Sequence, residues 1–170
     1  DDPTSRSFGE LSPGKKYSVT LAGTSADAWV DRDRVWVNWQ GKTEEICWAG
    51  DIKLLGRHNL ENIALAALAA LSAGVPLDAV REVTKTFKGL PHRLEVVGIA
   101  GYVTYVDDSF STVPETTIAA VASFTRPITL IVGGSEKGSN YSVMGEYIAK
   151  STVGTLIVIG QMTERIVASV

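Results

Sequence analysis

Cysteine is nearly absent from this sequence. Its 170 residues include one, Cys47, so no internal disulfide can form, which fits a reducing compartment and gives the thiol a packing role. Excess positive charge is missing too. Lysine and arginine together number 16 against 19 aspartates and glutamates, for a net charge of -3 and a pI near 5.4. That balance argues against a nucleic-acid surface, which needs a basic face. An anionic ligand would have to be met by a few placed cations. Long apolar runs are also lacking. The best one, residues 63–71, falls far short of the roughly 20 residues a membrane helix needs. No basic-then-apolar leader precedes the Asp1-Asp2-Pro3 opening, so no signal peptide is expected. Together these absences point to the cytoplasm, with neither membrane nor nucleic acid as partner.

What is present is enough apolar material for a core. Hydrophobic residues make up 45% of the chain, and the length fits one domain or parts of two. The pattern changes near Lys88-Gly89-Leu90-Pro91, where Gly and Pro end a helix, which predicts domains at 1–89 and 90–170. Before that point, β-type runs at 17–21, 35–39 and 45–48, with a Gln40-Gly41-Lys42 turn, predict a small antiparallel meander. An Ala-rich helix is expected over 59–73, with Ile63, Ala66, Ala67 and Ala70 at helical spacing and Gly74 past its end. A second helix is expected over 77–87, opening after Pro76 and carrying Val80, Val83 and Phe87 on one face. After it, runs at 94–99 and 102–107 flank Ala100-Gly101 as a hairpin. Thr112-Val113-Pro114-Glu115 has capping-box spacing before a helix to about residue 124. Apolar runs at 128–132 and 155–159, around a helix at 142–150, predict α/β architecture with a parallel sheet covered on both faces. Ligands of such sheets sit at the carboxyl ends of the strands, where Asp107, Asp108, Gly133 and Gly134 fall.

A phosphate-binding loop is missing. Gly9-Glu10-Leu11-Ser12-Pro13-Gly14-Lys15-Lys16 matches the first seven positions of G-x-x-x-x-G-K-[ST], but Lys16 stands where a hydroxyl must meet Mg²⁺. No apolar strand precedes it and a strand-like run follows where a helix N-terminus is needed, so it reads as a surface turn. The stretch Gly133-Gly134-Ser135-Glu136-Lys137-Gly138-Ser139 does follow a strand. Its backbone N–H groups and one lysine could hold an anion, or it could be a plain strand-to-helix turn.

Smaller constellations carry chemistry. Asn59 and Asn62 stand three residues apart on one helical face. Their amides suit the edge of a base such as adenine; the alternative is a cap by Asn59 with Asn62 merely exposed. Arg93, in Pro91-His92-Arg93-Leu94-Glu95, could clamp a phosphate or carboxylate, or pair with a surface acid. Asp108 could accept from ribose hydroxyls or cap the next turn.

In this order, G-x-H-N-x-x-N, an Ala-rich helix, F-x-G-L-P-H-R-x-E, strand-D-S-x-x-T and G-G-x-x-K-G resemble the Mur ligases of peptidoglycan synthesis. The resemblance runs from Asp1-Asp2-Pro3, similar to the end of the family's N-A-D-D-P segment, through residues 155–159. It implies the end of a central ATPase domain at 1–89, followed by a Rossmann-like, mostly parallel, incomplete ligase domain at 90–170. It further implies ATP as cofactor, with Asn59 and Asn62 on adenine, Arg93 toward the phosphates and Asp108 on the ribose. Thr112 would face the γ-phosphate and acyl-phosphate region, and Lys137 the amino-acid side. Neither His58 nor His92 is needed as a base, so both are expected to be structural.

The Gly89-Leu90-Pro91-His92-Arg93-Leu94-Glu95 string implies UDP-N-acetylmuramoyl-L-alanine and D-glutamate as substrates, and the family implies a monomer. No metal ligand is assigned within the chain; the family's phosphate loop and Mg²⁺ ligands are expected upstream of Asp1, and the chain alone is expected to be inactive. One departure stands out. The family's D-S-K-A-T-N reads Asp108-Ser109-Phe110-Ser111-Thr112-Val113 here, so a lysine and an asparagine are replaced. Another amide ligase, folylpolyglutamate synthase-like or lipid II-modifying, and a noncatalytic nucleotide-binding module remain as alternatives.

Overall fold

The computed structural model describes residues 3–21 and 23–170. Asp1 and Asp2, which open the segment likened to N-A-D-D-P, lie outside the described residues. The chain divides into two compact units, Asp1–Lys88 and Gly89–Val170.

The first unit opens with α1 (Pro3–Leu11), which buries no residue. Gly9 sits in its last turn, and Ser12 N–H donates to the Gly9 carbonyl at 3.2 Å. The segment that mimics a phosphate loop is therefore a helix end. A four-stranded sheet follows in the order β1 (Val19–Thr20), β2 (Ala28–Asp31), β3 (Arg34–Trp39), β4 (Lys42–Trp48). The expected strand at 17–21 shrinks to two residues that run parallel to β2, while β2, β3 and β4 form the antiparallel meander. Strand β2 escapes sequence reading because its turn lacks the usual signal. Arg32 and Asp33 both take positive φ, 45° and 62°, a mirror-type hairpin turn normally marked by glycine. Trp29 and Trp36, paired across that hairpin, stack with ring centroids 6.5 Å apart.

Helix α2 (His58–Ser72) covers this sheet. Leu60, Ile63, Ala64, Ala67, Leu68 and Leu71 are buried on its inner face, against Ala28, Val30, Val35, Val37, Ile46 and Cys47. Ala66 is exposed, not part of that face. Gly74, at φ 87°, follows the helix end in the left-handed region, where glycine carries no Cβ penalty. Burial of Cys47 pushes its thiol up to about 11, so it stays protonated and packs as a small apolar group. Helix α3 (Leu77–Thr86) buries Val80 alone, and Val83 and Phe87 are exposed. Beside that packing, Arg81 ties it to β4, donating from Nε to the Glu45 carbonyl at 2.8 Å and pairing with Glu44 at 2.9 Å.

The second unit starts with an antiparallel hairpin, β5 (Glu95–Ala100) and β6 (Val103–Asp107), closed by Gly101 and Tyr102. A helix α4 (Pro114–Val121) leads to β7 (Ile128–Gly133). Helix α5 (Ser142–Ala149) then crosses to β8 (Val153–Ile159), which runs parallel to β7, and α6 (Thr163–Val167) follows. The capping box does not form. Pro114 occupies the first helical position, which makes Val113 the cap residue, extended at φ -136°, ψ 154°. The clash between proline and its predecessor's backbone favours that conformation, and Thr112 is left one residue outside. The helix also ends at Val121, short of residue 124.

The core of this unit joins Met144, Ile148, Met162 and Ile166 to Leu130, Val132, Leu156 and Val158. Alternation along β7 and β8 puts Ile131, Ile157 and Ile159 on the opposite face, where they are exposed. Among the described residues of this unit, the parallel pair is thus covered on one face, not on both.

Candidate functional site

The segment that follows β6 and the end of β7 share one cleft of about 210 Å³ within the second unit. Its walls include Ser111 and Thr112 after β6, Gly133 and Gly134 at the end of β7, and Lys137 in the following loop. The two side chains expected to face the reacting groups, Thr112 and Lys137, are thereby brought to one place. Both are exposed. Among the described residues no carboxylate belongs to the lining, so the cleft offers hydroxyls and one cation. That donor set fits an anion and does not fit a divalent metal, which takes carboxylate and carbonyl oxygens.

The glycines here answer to space. A Cβ on Gly133 would collide with the backbone of Ile159 and lie 2.7 Å from its Cγ1. Gly138 adopts φ 70°, which lets the loop turn tightly past Lys137. Glu136 accepts from the Gly138 N–H at 2.6 Å. That bond, followed by the Arg165 guanidinium, holds the Glu136 carboxyl below the usual range.

Asp107 and Asp108, at the end of β6, brace the chain around Arg93. Leu94 N–H donates to Asp108 Oδ1 at 2.9 Å and Ser111 Oγ–H to Oδ2 at 2.5 Å. Asp108 therefore ties its own turn and the segment ahead of β5 at once. His92 stands at φ 62°; its Nδ1–H donates to Asp107 at 2.7 Å and its N–H to Glu95 at 2.8 Å. The Phe110 N–H in turn donates to the His92 carbonyl at 3.0 Å. The hydrogen bond to Asp107, reinforced by its charge, raises the His92 pKa, and the same bond with the Ser109 N–H lowers Asp107 to about 2. His92 is a brace in this arrangement. His92, Glu95 and Asp107 also bring three potential metal-ligand atoms within 4.8 Å of one another, yet all three groups are engaged in these bonds.

Arg93 makes no ion pair among the described residues. Its guanidinium lies over the Phe110 ring, 5.2 Å from the centroid, so the residue that stands for the family's lysine holds a neighbouring cation. Sequence reading missed this, because nothing in the spacing from Arg93 to Phe110 marks the two loops as neighbours.

In the first unit, Asn59 does not cap α2. The cap position is Arg57, and Asn59 Nδ2 donates instead to the Leu55 carbonyl at 2.7 Å. Asn62 Nδ2 donates to Asn59 Oδ1 at 3.0 Å. The two amides form one unit on the first turn, Asn59 half-buried and Asn62 exposed. Asn59 and Asn62 thus belong to one compact unit and Arg93, Asp108, Thr112 and Lys137 to the other.

No family model matches the chain, but individual proteins do. The chain is 39% identical over 149 residues to the UDP-N-acetylmuramoylalanine--D-glutamate ligase of Roseiflexus sp. strain RS-1, an alignment covering 88% of this chain and 32% of that protein. It is 37% identical over 172 residues to the enzyme of the same name from Symbiobacterium thermophilum, covering 98% of this chain and 37% of the relative. The chain thus spans about a third of the length of these curated relatives. Among solved structures it is similar in fold to MurF from Acinetobacter baumannii, with a TM-score of 0.68 at 15% identity over 90% of this chain and 35% of that one.

Proposed function

The chain belongs to the Mur ligase family, and on that premise we propose that it forms part of an ATP-dependent ligase joining D-glutamate to UDP-N-acetylmuramoyl-L-alanine. Residues 1–89 would be the end of the central ATP-binding domain and 90–170 the ligase domain that follows. In the family's reaction the terminal phosphoryl group of ATP passes to a substrate carboxylate, giving an acyl phosphate and ADP. The amine of the incoming amino acid then attacks the carbonyl carbon and expels phosphate. Such chemistry depends on positioning and on neutralising charge.

The observation that carries this reading is the cleft at the strand ends, in which Thr112 and Lys137 share a wall free of carboxylates. Lys137, exposed and without an ion-pair partner among the described residues, supplies positive charge for the carboxylate of the amino acid. The Thr112 hydroxyl donates toward the phosphoryl oxygens. Asn59 and Asn62 take the adenine edge, Asp108 the ribose through lone pairs left beside its two bracing bonds, and Arg93 the phosphates. Mg²⁺, where bound, would screen the phosphate charge; the cleft offers no ligand set for it. The full enzyme would work as a monomer in the cytoplasm; among the described residues no helix is long and apolar enough to cross a membrane.

A chimera tests this: these 170 residues replace the aligned stretch of the Symbiobacterium relative. It should form product from UDP-N-acetylmuramoyl-L-alanine with D-glutamate. Lys137→Met should lower kcat/KM for D-glutamate by about a hundredfold, the scale of one lost charge-stabilising donor. A preference for meso-diaminopimelate or L-alanine would overturn the assignment.

A further inference from the structure

We propose that Arg165, on α6, is a positioning residue that holds the loop presenting Lys137. Its guanidinium reaches that loop at three points. One nitrogen pairs with the Glu136 carboxylate and the other donates to the Ser139 carbonyl at 3.0 Å. The group also lies over the Tyr141 ring, 5.6 Å from its centroid. Because Glu136 accepts in addition from the Gly138 N–H at 2.6 Å, residues 136–139 are closed on both sides of Lys137.

The anchor at the other end is firm. Ile166, next in sequence, and Met162 are buried in the core beside Met144 and Ile148. The backbone that carries Arg165 is therefore fixed while its side chain reaches outward. An isolated exposed ion pair contributes little. Here one planar fork bridges a carboxylate and a backbone carbonyl, a geometry that lysine cannot copy with a single point charge. The loop has few other restraints. It contains Gly134 and Gly138, has no regular secondary structure between β7 and α5, and is exposed over residues 134–138. Ordering it in advance removes an entropic cost that ligand binding would otherwise carry.

The functional half of this inference rests on the ligase reading, so the test separates the two. Hydrogen exchange at the amides of residues 136–139 is measured on the 170-residue chain as wild type, Arg165→Ala and Arg165→Lys, with amides of β8 as the internal reference. Arg165→Ala should lose protection at Gly138, whose N–H donates to the Glu136 carboxylate that Arg165 holds, while β8 keeps its own, and Arg165→Lys should recover it only in part. In the chimera, Arg165→Ala should raise KM for D-glutamate roughly tenfold to a hundredfold with kcat little changed, the scale of a misplaced substrate contact. Glu136→Gln combined with Arg165→Ala should cost no more than Arg165→Ala alone, since both remove one link. Unchanged loop protection in Arg165→Ala overturns the brace. Lost protection with unchanged KM overturns the positioning role. Lost protection together with a wild-type chimera that ignores D-glutamate overturns the ligase reading and leaves the brace standing.

Discussion

His92 and Asp107 form a pair whose contribution should be visible as a window in pH. His92, with its pKa raised from 6.5, stabilises the fold fully below that unfolded value and stops doing so as pH rises through the raised one. Asp107, lowered from 3.8 to about 2, stabilises above 3.8 and stops as pH falls through about 2. The two conditions overlap between 3.8 and 6.5. Asp107→Asn keeps the shape and removes the charge, so thermal melts of wild type and variant should differ most in that window and converge toward alkaline pH. A difference that persists undiminished at alkaline pH would count against the pair. The sequence disclosed the residue types at this site better than their partners. Asp108, Arg93 and Lys137 could be singled out by their place at strand ends and in a specific string. That Arg93 would rest on Phe110, or that Asp108 would divide its oxygens between its own turn and the Leu94 N–H, depends on how two loops meet, and no local spacing encodes that.

Elements with a strong period were legible and those defined by contact were not. The Ala-rich run at 59–73 became α2 because Leu60, Ile63, Ala67 and Leu71 recur at helical spacing and find a sheet to cover. By contrast, β2 turns on Arg32 and Asp33 with positive φ and no glycine, and α6 is a five-residue helix held by Met162 and Ile166. The capping box failed for a local reason that could have been weighed, since proline inside the motif moves the helix start. The pairing of β7 with β8 also sets a demand on one position. Gly133 faces Ile159 across the ladder, and a Cβ there would lie 2.7 Å from the Ile159 Cγ1 besides meeting its backbone. Gly133→Ala should therefore cost about 1–3 kcal/mol, the usual penalty of overpacking, read as a lower urea midpoint by circular dichroism. An unchanged midpoint would mean that β8 shifts without cost.

On the proposed reading the chain carries groups for a base, a ribose, an amino-acid carboxylate and, in Arg93 and Thr112, phosphate oxygens, whereas its described residues form no phosphate loop and the cleft holds no ligand set for a triphosphate's metal. The one stretch resembling a phosphate loop begins in the last turn of α1, at Gly9, and leads into irregular chain and the short β1. A phosphate loop instead needs a strand before it and a helix N-terminus after it, so that several backbone N–H groups converge on the phosphates. At the cleft of the second unit, the described lining holds Lys137 and hydroxyls without a carboxylate, a set suited to an anion and not to a divalent metal. Since phosphoryl transfer depends on positioning and electrostatic stabilisation of the transferred group, Lys137 and Thr112 alone cannot supply it. The expected outcome is that the 170-residue chain releases no phosphate above background with ATP, D-glutamate and the uridine-linked substrate, while the chimera does. Phosphate release that requires D-glutamate from the isolated chain would mean that a triphosphate site exists among these residues, with Lys15 and Lys16 the first cations to replace in locating it.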